Sequence, residues 1–182
     1  MPPTQAPDRY NTVSIALHWL MMLVIVGVYA AIELREFFPK GSEPREALKT
    51  WHFMLGLTVL GLVWVRIAAR LAWRRPISSA DGPAWRRVLA SATHAMLYAF
   101  MIGMPIAGWL ILSAEGKIIP FFGLELPALA SANEPLAAQV ETVHKLVGTL
   151  GYWLIGLHAA ASLFHHYVIR DGVLARMLPL RT

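Results

Sequence analysis

The sequence predicts an all-α membrane protein, a bundle of four transmembrane helices. Of its 182 residues, 57% are hydrophobic and only 15% are charged, whereas a typical soluble domain has roughly 25% charged residues. A helix needs about 20 apolar residues to cross a bilayer. Three stretches without Asp, Glu, Lys or Arg are long enough, namely residues 10–32, 88–114 and 146–169.

The fourth span is predicted from a shorter uncharged stretch, residues 50–65, which continues into Arg66 and Arg70. Long arginine side chains at a helix end reach from the apolar core into the headgroups, so this stretch also counts as a span. The first span is full length and ends near Glu33, which favours a retained helix over a removed signal peptide. The predicted helices, within a single domain, cover approximately residues 12–36, 48–73, 85–113 and 141–169.

The orientation is predicted from the charges outside the spans. The side with both chain ends and the connection 66–87 has ten arginines and three aspartates, and the opposite side has six basic residues and eight glutamates. Basic residues collect in cytoplasmic loops, so both termini are expected in the cytoplasm. The pI near 9.9 then reflects membrane topology, and no nucleic-acid partner is expected.

Cysteine is absent from the sequence. This excludes disulfides, iron–sulfur clusters on thiolates and thioether-linked haem. Any redox centre must therefore use other ligands. The longest connection, from Ser113 to about Glu141, is expected to cover the outer end of the bundle or to contribute to a site.

Histidines are the main candidates for those ligands, because ionisable side chains within membrane spans are costly and usually functional. His144 and His158 are fourteen residues apart on the last predicted helix, so they share a face and lie about 21 Å apart along its axis. That separation suits two stacked haems, one near each membrane surface. The seven histidines are His18, His52, His94, His144, His158, His165 and His166.

Depth in the membrane predicts how these histidines pair. His18 and His158 both lie near the cytoplasmic surface, whereas His52 and His144 both lie near the outer one. Each pair is a candidate for the two axial ligands of one haem iron. Three glycines, Gly56, Gly148 and Gly151, would leave room for a flat macrocycle, although small residues also allow close helix packing.

Other ligand sets stay open at this point. His94 could replace His18 or His158 as a ligand, and methionine ligation is open to Met21, Met22 and Met54. Zinc is less favoured, because zinc ligands cluster tightly and these histidines form two separate layers.

The next pair along the chain, His165 and His166, lies beyond the inner haem. His165 is about 10 Å nearer the cytoplasm than His158, where a quinone headgroup could take up protons. His165 and His94 are therefore assigned to a quinone site. The alternative for His165 and His166 is interfacial anchoring together with Tyr167.

The whole pattern resembles the bacterial cytochrome b561 family, in particular its small stand-alone members described as superoxide oxidases. The similarity implies two haems b held by His18 with His158 and by His52 with His144. It also implies that superoxide is oxidised on the periplasmic side and that ubiquinone is reduced near the cytoplasmic side. No obligatory protein partner is expected. The segments that match are residues 14–19, 33–39, 51–52, 144, 156–161 and 165–167.

Superoxide is an anion, so basic residues at the outer haem would attract it. Arg35, which lies in a matched segment, and Lys117 are the predicted substrate residues, with Lys40, Arg45 and Lys49 as further candidates. The outer side as a whole has more glutamates than basic residues, so attraction must come from a local patch. The alternative is that these are solvated loop charges paired with glutamates.

Two other functional classes remain open. Related four-helix dihaem proteins act as electron-relay subunits, which anchor a dehydrogenase or hydrogenase and pass its electrons to quinone. Such a subunit needs an extensive docking surface outside the membrane, and the loops here are short. A haem-free structural or transport protein would leave the matched depths of four histidines unexplained.

Overall fold

The computed structural model describes residues 9–73 and 83–179. Each long helix in these ranges is long and apolar enough to cross a membrane, so the predicted four-helix membrane bundle is confirmed. Along the chain, α1 packs on α2, α2 on α3 and α3 on α4. The helices are α1 (Thr12–Leu34), α2 (Glu43–Ala72), α3 (Ala84–Ala114) and α4 (Glu134–Phe164).

The bundle has two ends, which differ in the chain segments that they contain. The tail end is where α1 begins, α2 ends, α3 begins and α4 ends, and the hairpin end is the opposite one. Five residues that were counted for the orientation lie outside the described ranges, namely Asp8, Arg74, Arg75, Asp81 and Arg181. Most of the connection from α2 to α3 also lies outside these ranges.

Two helices begin earlier than predicted. Asn133 precedes α4 and its side chain accepts a hydrogen bond from the Leu136 N–H at 3.0 Å, with Pro135 in the first turn. Likewise, α2 begins at Glu43 with Pro44 in its first turn. An Asn cap and an early proline are both helix-starting features, so residues placed before the predicted helices begin them instead.

The connection from α3 to α4 contains a short antiparallel hairpin, which the all-helical prediction did not include. Its strands are β1 (Ile119–Phe121) and β2 (Leu124–Leu126). Ile119 is buried against Leu57 of α2 and Leu112 of α3, and the Phe122 N–H donates to the Met54 sulfur at 3.3 Å. The hairpin therefore covers the end of the bundle between α2 and α3, as expected for this connection.

At the tail end, the chain after α4 folds back onto α1. The last helical turn widens into a π-helical turn, His165–Ile169, which ends at Arg170 in a left-handed conformation with φ 60°. The Trp19 indole N–H then donates to the Met177 carbonyl at 2.7 Å, and Arg9 donates to the Leu178 carbonyl. These bonds hold the C-terminal segment against the start of α1.

Candidate functional site

The structure brings two histidines together at the hairpin end. His52 of α2 faces His144 of α4, with 6.4 Å between ring centres and 74° between ring planes. The His52 Nδ1 lies 3.0 Å from the Val28 carbonyl of α1. If Nδ1 carries the proton, as that contact favours, Nε2 is free to coordinate a metal.

A second pair lies near the tail end. His18 of α1 faces His158 of α4, with 6.3 Å between ring centres and 71° between ring planes. His94 of α3 is also close, at 5.4 Å from the His158 ring centre, and its Nδ1 lies 2.6 Å from the Ala90 carbonyl of its own helix. All three of these histidines therefore lie together, on three different helices.

The spacing within both pairs fits two axial ligands on one metal ion. Metal–imidazole bonds of about 2.0–2.1 Å, with each ring centre roughly 1.1 Å behind its nitrogen, place the ring centres about 6 Å apart. His18 with His158 and His52 with His144 have this separation, whereas His94 is nearer to His158 than it requires. No group of three or more metal-binding side chains occurs in residues 9–73 and 83–179, so two ligands per ion is the arrangement available.

His144 is difficult to explain as a packing residue. Its Nδ1 is buried and has no hydrogen-bond partner within the described parts of the chain. An unpaired buried nitrogen costs about 1–3 kcal/mol, and a core histidine normally avoids that cost. The residues present therefore fit a group bound through imidazole, and a b-type haem is such a group.

A cavity of about 390 Å³ opens beside the hairpin-end pair and reaches the surface. Its wall includes His52, His144 and three glycines, Gly56, Gly108 and Gly148. A β-carbon at Gly108 would lie 3.6 Å from the His144 ring, so a larger side chain there would crowd the imidazole. Of the glycines predicted to make room for a macrocycle, Gly56 and Gly148 line this cavity.

Gly151 has a different role from the one suggested by its spacing. It is buried, and a β-carbon there would collide with the Tyr29 hydroxyl and the Phe100 ring. Tyr29 also donates to the Gly148 carbonyl at 2.8 Å. Gly151 thus permits close packing of α4 against α1 and α3 and does not line the cavity.

Charged side chains surround the mouth of this cavity. Arg35 is among them, and its charge acts on the His52 ring. Glu36 is within 3.0 Å of Arg35 and 3.1 Å of Arg45, so the two guanidinium groups share one carboxylate. The mouth-lining charged residues are Glu33, Arg35, Lys49, Glu115, Glu141 and Lys145.

Lys117 is placed differently from Arg35. Its ammonium lies 3.0 Å from the Glu115 carboxylate, the side chain is 51% exposed, and it is not part of the cavity wall. Sequence reasoning named Lys117 and did not name Lys145, which lines the cavity and lies 2.7 Å from the Glu141 carboxylate. A role for Lys117 with superoxide stays a prediction.

His165 has a carboxylate partner at the tail end. Its Nδ1 lies 2.5 Å from Asp171 Oδ2, and the Val173 N–H donates to the other oxygen of Asp171 at 3.1 Å. Both side chains are largely buried, 30% and 22% exposed. His166 instead packs its ring against Tyr167 at 4.8 Å, so the two neighbouring histidines differ in their surroundings.

The fold and these pairs define a class of protein, a membrane-embedded electron-transfer protein with histidine pairs on facing helices. Comparison with known sequences agrees with that class. Residues 9–180 match the family model described as prokaryotic cytochrome b561. The chain therefore belongs to the prokaryotic cytochrome b561 family, which confirms the resemblance seen in the sequence and makes it a multi-pass bacterial inner-membrane protein that binds b-type haem.

Individual relatives match over almost their whole lengths. Cytochrome b561 homolog 1 of Escherichia coli K12 is 34% identical over 96% of this chain and 99% of its own. Probable superoxide oxidase CybB of Yersinia pestis is 36% identical over 94% of this chain and 96% of its own. Cytochrome b561 homolog 2 of Escherichia coli K12 is 32% identical over 96% and 94%.

Proposed function

We propose that this chain is a superoxide:ubiquinone oxidoreductase that takes electrons from superoxide at the hairpin end and delivers them to ubiquinone at the tail end. The observation on which this depends is the presence of two histidine pairs at metal-ligand spacing near opposite ends of one bundle. Two b haems, when bound at these pairs, would supply one-electron transfer across the membrane. The similarity to a probable superoxide oxidase supports the choice of substrate.

The proposed direction follows from the placement of arginines. Arg9, Arg66, Arg70 and Arg170 lie at or near the tail end, and basic residues accumulate on the cytoplasmic side of inner-membrane proteins. The hairpin end then faces the periplasm. Superoxide would be met outside the cell membrane and quinone would be reduced near the cytoplasm, where protons are available from water.

At the hairpin end the chain would collect an anion. The cavity is open and is lined by His52 and His144, and Arg35 at its mouth shares the Glu36 carboxylate with Arg45. A local positive potential raises the concentration and association rate of a small anion even where the surrounding surface is not basic. Each superoxide that loses one electron leaves as neutral dioxygen, which the charged mouth does not retain.

At the tail end the reaction needs protons as well as electrons. Ubiquinone takes two electrons and two protons to become quinol, so two superoxide anions are consumed per quinol. His165 would donate a proton to the reduced quinone oxygen, and Asp171 would hold the imidazole in place and stabilise its charged form. His94, which lies beside His158, is proposed to line the same quinone site.

The state of Asp171 supports this role. Burial works against its charge, but hydrogen bonds from His165 and the Val173 N–H, and the charges of His165 and Arg176, lower the pKa of Asp171 below its usual value. The carboxylate therefore stays ionised at neutral pH. Because its pKa is lowered on folding, its stabilising effect is present above the usual aspartate pKa of about 3.9 and is lost as the pH falls through the lower folded value.

Asp171→Asn is expected to slow quinone-dependent reoxidation of the haems about tenfold, because general acid catalysis by a positioned histidine contributes at least that much. Haem reduction by superoxide should be unchanged, since Asp171 is at the opposite end of the bundle. Stopped-flow absorbance separates the two phases.

His166→Gln is the matched control, because it removes a neighbouring imidazole that has no carboxylate partner in the described ranges. It should leave reoxidation unchanged, and His165→Gln should reproduce the effect of Asp171→Asn. Equal slowing by all three substitutions would show a general disturbance of the tail end and would contradict the assignment of a proton donor.

The function itself is tested by purifying the chain alone in detergent and giving it a superoxide pulse, with and without ubiquinone. The expected result is rapid haem reduction followed by reoxidation only when quinone is added, with both lost in His52→Ala. Haem that remains oxidised after the pulse, yet is reduced by a quinol, would overturn the superoxide reaction. An electron-relay subunit that needs a docked dehydrogenase would then be the better account.

A further inference from the structure

Arg66 is an unusual residue for its position in the bundle. It lies six residues before the end of α2, His158 lies six residues before the end of α4, and His18 lies six residues after the start of α1. At 1.5 Å per residue, each is about 9 Å from its helix end. The backbone of Arg66 is therefore at about the depth of the tail-end histidine pair, and the charge of its side chain acts on both rings.

This guanidinium is only partly satisfied. Nη1 of Arg66 is buried and has no hydrogen-bond partner in the described ranges of the chain. The Tyr98 hydroxyl of α3 lies near both Arg66 and Arg70, and both positive charges act on it. Arg70 lies one turn further along α2 and stacks on the Tyr98 ring, 5.6 Å from its centre. Arg66, Arg70 and Tyr98 thus form a connected group, named here the arginine cluster.

No acidic side chain of the four helices is near enough to neutralise this cluster. The tail-end halves of all four helices contain neither Asp nor Glu, as residues 12–23, 58–72, 84–99 and 150–164 show. In the described part of the chain, neither arginine forms an ion pair with a carboxylate. A buried charge at membrane depth is costly unless it is paired, and the described residues supply no carboxylate partner for the arginine cluster.

We infer that the arginine cluster binds the propionate carboxylates of the haem at the tail-end pair, with Arg66 as the principal contact. Arginine presents a planar fork of donors that matches a carboxylate, and Nη1 is the unfilled donor of that fork. A haem held by His18 and His158 would carry two propionate carboxylates at the same end of the bundle as Arg66. This inference rests on the proposed tail-end haem.

Arg66 is expected to affect the reduction potential of the tail-end haem through its positive charge. Reduction adds one electron to the haem, and a nearby guanidinium stabilises the reduced form, so removing the charge favours the oxidised form. Arg66→Gln is expected to lower the equilibrium constant for reduction of one haem about tenfold, equivalent to 59 mV for one electron. The other haem should be unaffected, because the hairpin-end histidines are about 21 Å away along α4.

The measurement is a redox titration of the purified chain followed by haem absorbance, with Arg86→Gln as the matched control. Arg86 precedes Tyr98 by twelve residues on α3, about 18 Å along the helix, and its guanidinium lies over Trp85. It should leave both potentials unchanged. Arg66→Lys, which keeps the charge but not the fork, should shift the same haem less than Arg66→Gln does.

One further variant and one change of lipid environment test the same inference. Arg70→Gln, at an exposed position on the edge of the cluster, should shift the same haem in the same direction even if Arg66→Gln does not fold. The titrations are repeated in lipid-free detergent and in bilayers with anionic phospholipid. A shift present in both supports propionate binding, whereas a shift seen only with anionic lipid would assign the cluster to a lipid phosphate and overturn it.

Unchanged potentials in both Arg66→Gln and Arg70→Gln, at full haem content, would equally contradict the inference. Failure of the proposed function looks different, because the wild-type chain would then contain fewer than two haems or would not respond to superoxide. Haem content of the wild-type chain, measured first, separates the two cases.

Discussion

His144→Ala is expected to reduce the haem content of the purified chain from two haems to one. This residue supplies one side of the hairpin-end pair, and the distance of 6.4 Å between its ring centre and that of His52 leaves room for a single iron. No third histidine contacts this pair among the described residues, so nothing can take its place. The haem-to-protein ratio, measured after extraction of the haem, gives the result directly.

His166→Ala is the control for this experiment, because it removes an imidazole that belongs to neither histidine pair. It should retain both haems. His18→Ala should also lose one haem, but the one that remains should differ in redox potential from the one left in His144→Ala. Two haems in His144→Ala, or the same remaining haem in both variants, would show that the pairs are assigned wrongly.

Arg35→Gln is expected to lower the rate constant for haem reduction by superoxide about tenfold at low ionic strength. A local positive charge at a cleft increases the association rate of an anion by about 10–1,000-fold, and Arg35 is the mouth residue whose charge acts on His52. The difference from wild type should disappear near 1 M salt, where the Debye length is about 3 Å. Stopped-flow mixing with superoxide at several salt concentrations measures both effects.

Lys40→Gln is the matched control, because it removes one positive charge from the same connection without lining the cavity. It should change the rate far less. Lys117→Gln addresses the residue predicted from sequence, and its pairing with Glu115 leads us to expect a small effect. A similar decrease in all three variants would indicate attraction by the whole surface, and no decrease in Arg35→Gln would remove it from the substrate path.

The two histidine pairs were predictable from sequence because helix geometry fixes depth. The rise per residue is constant, so counting from the charged ends of each span placed His18 level with His158 and His52 level with His144. The same counting could not tell which rings face each other, and it left His94 open. That choice depends on helix rotation and packing, which the structure supplies through ring distances.

Other parts of the site depended on contacts that no spacing encodes. The position of Gly151 in the sequence suggested that it leaves space for a cofactor, but its neighbours are Tyr29 and Phe100 from two other helices. Asp171 lies beyond the last span, and only the π-helical turn and the reversal at Arg170 bring it to His165. Arg66 was interpreted as a residue reaching to the headgroups, and its burial beside the histidines became visible only with the four helices assembled.

One continuous helix, α4, provides a ligand to each pair, and this has a consequence for how the protein can vary. Fourteen residues of unbroken helix separate His144 from His158, so inserting or deleting a single residue between them would rotate one imidazole by about 100° relative to the other. Relatives should therefore keep this interval constant in length while their residue types change. Length variation should accumulate instead in the strand-containing connection before α4, where no ligand depends on the count.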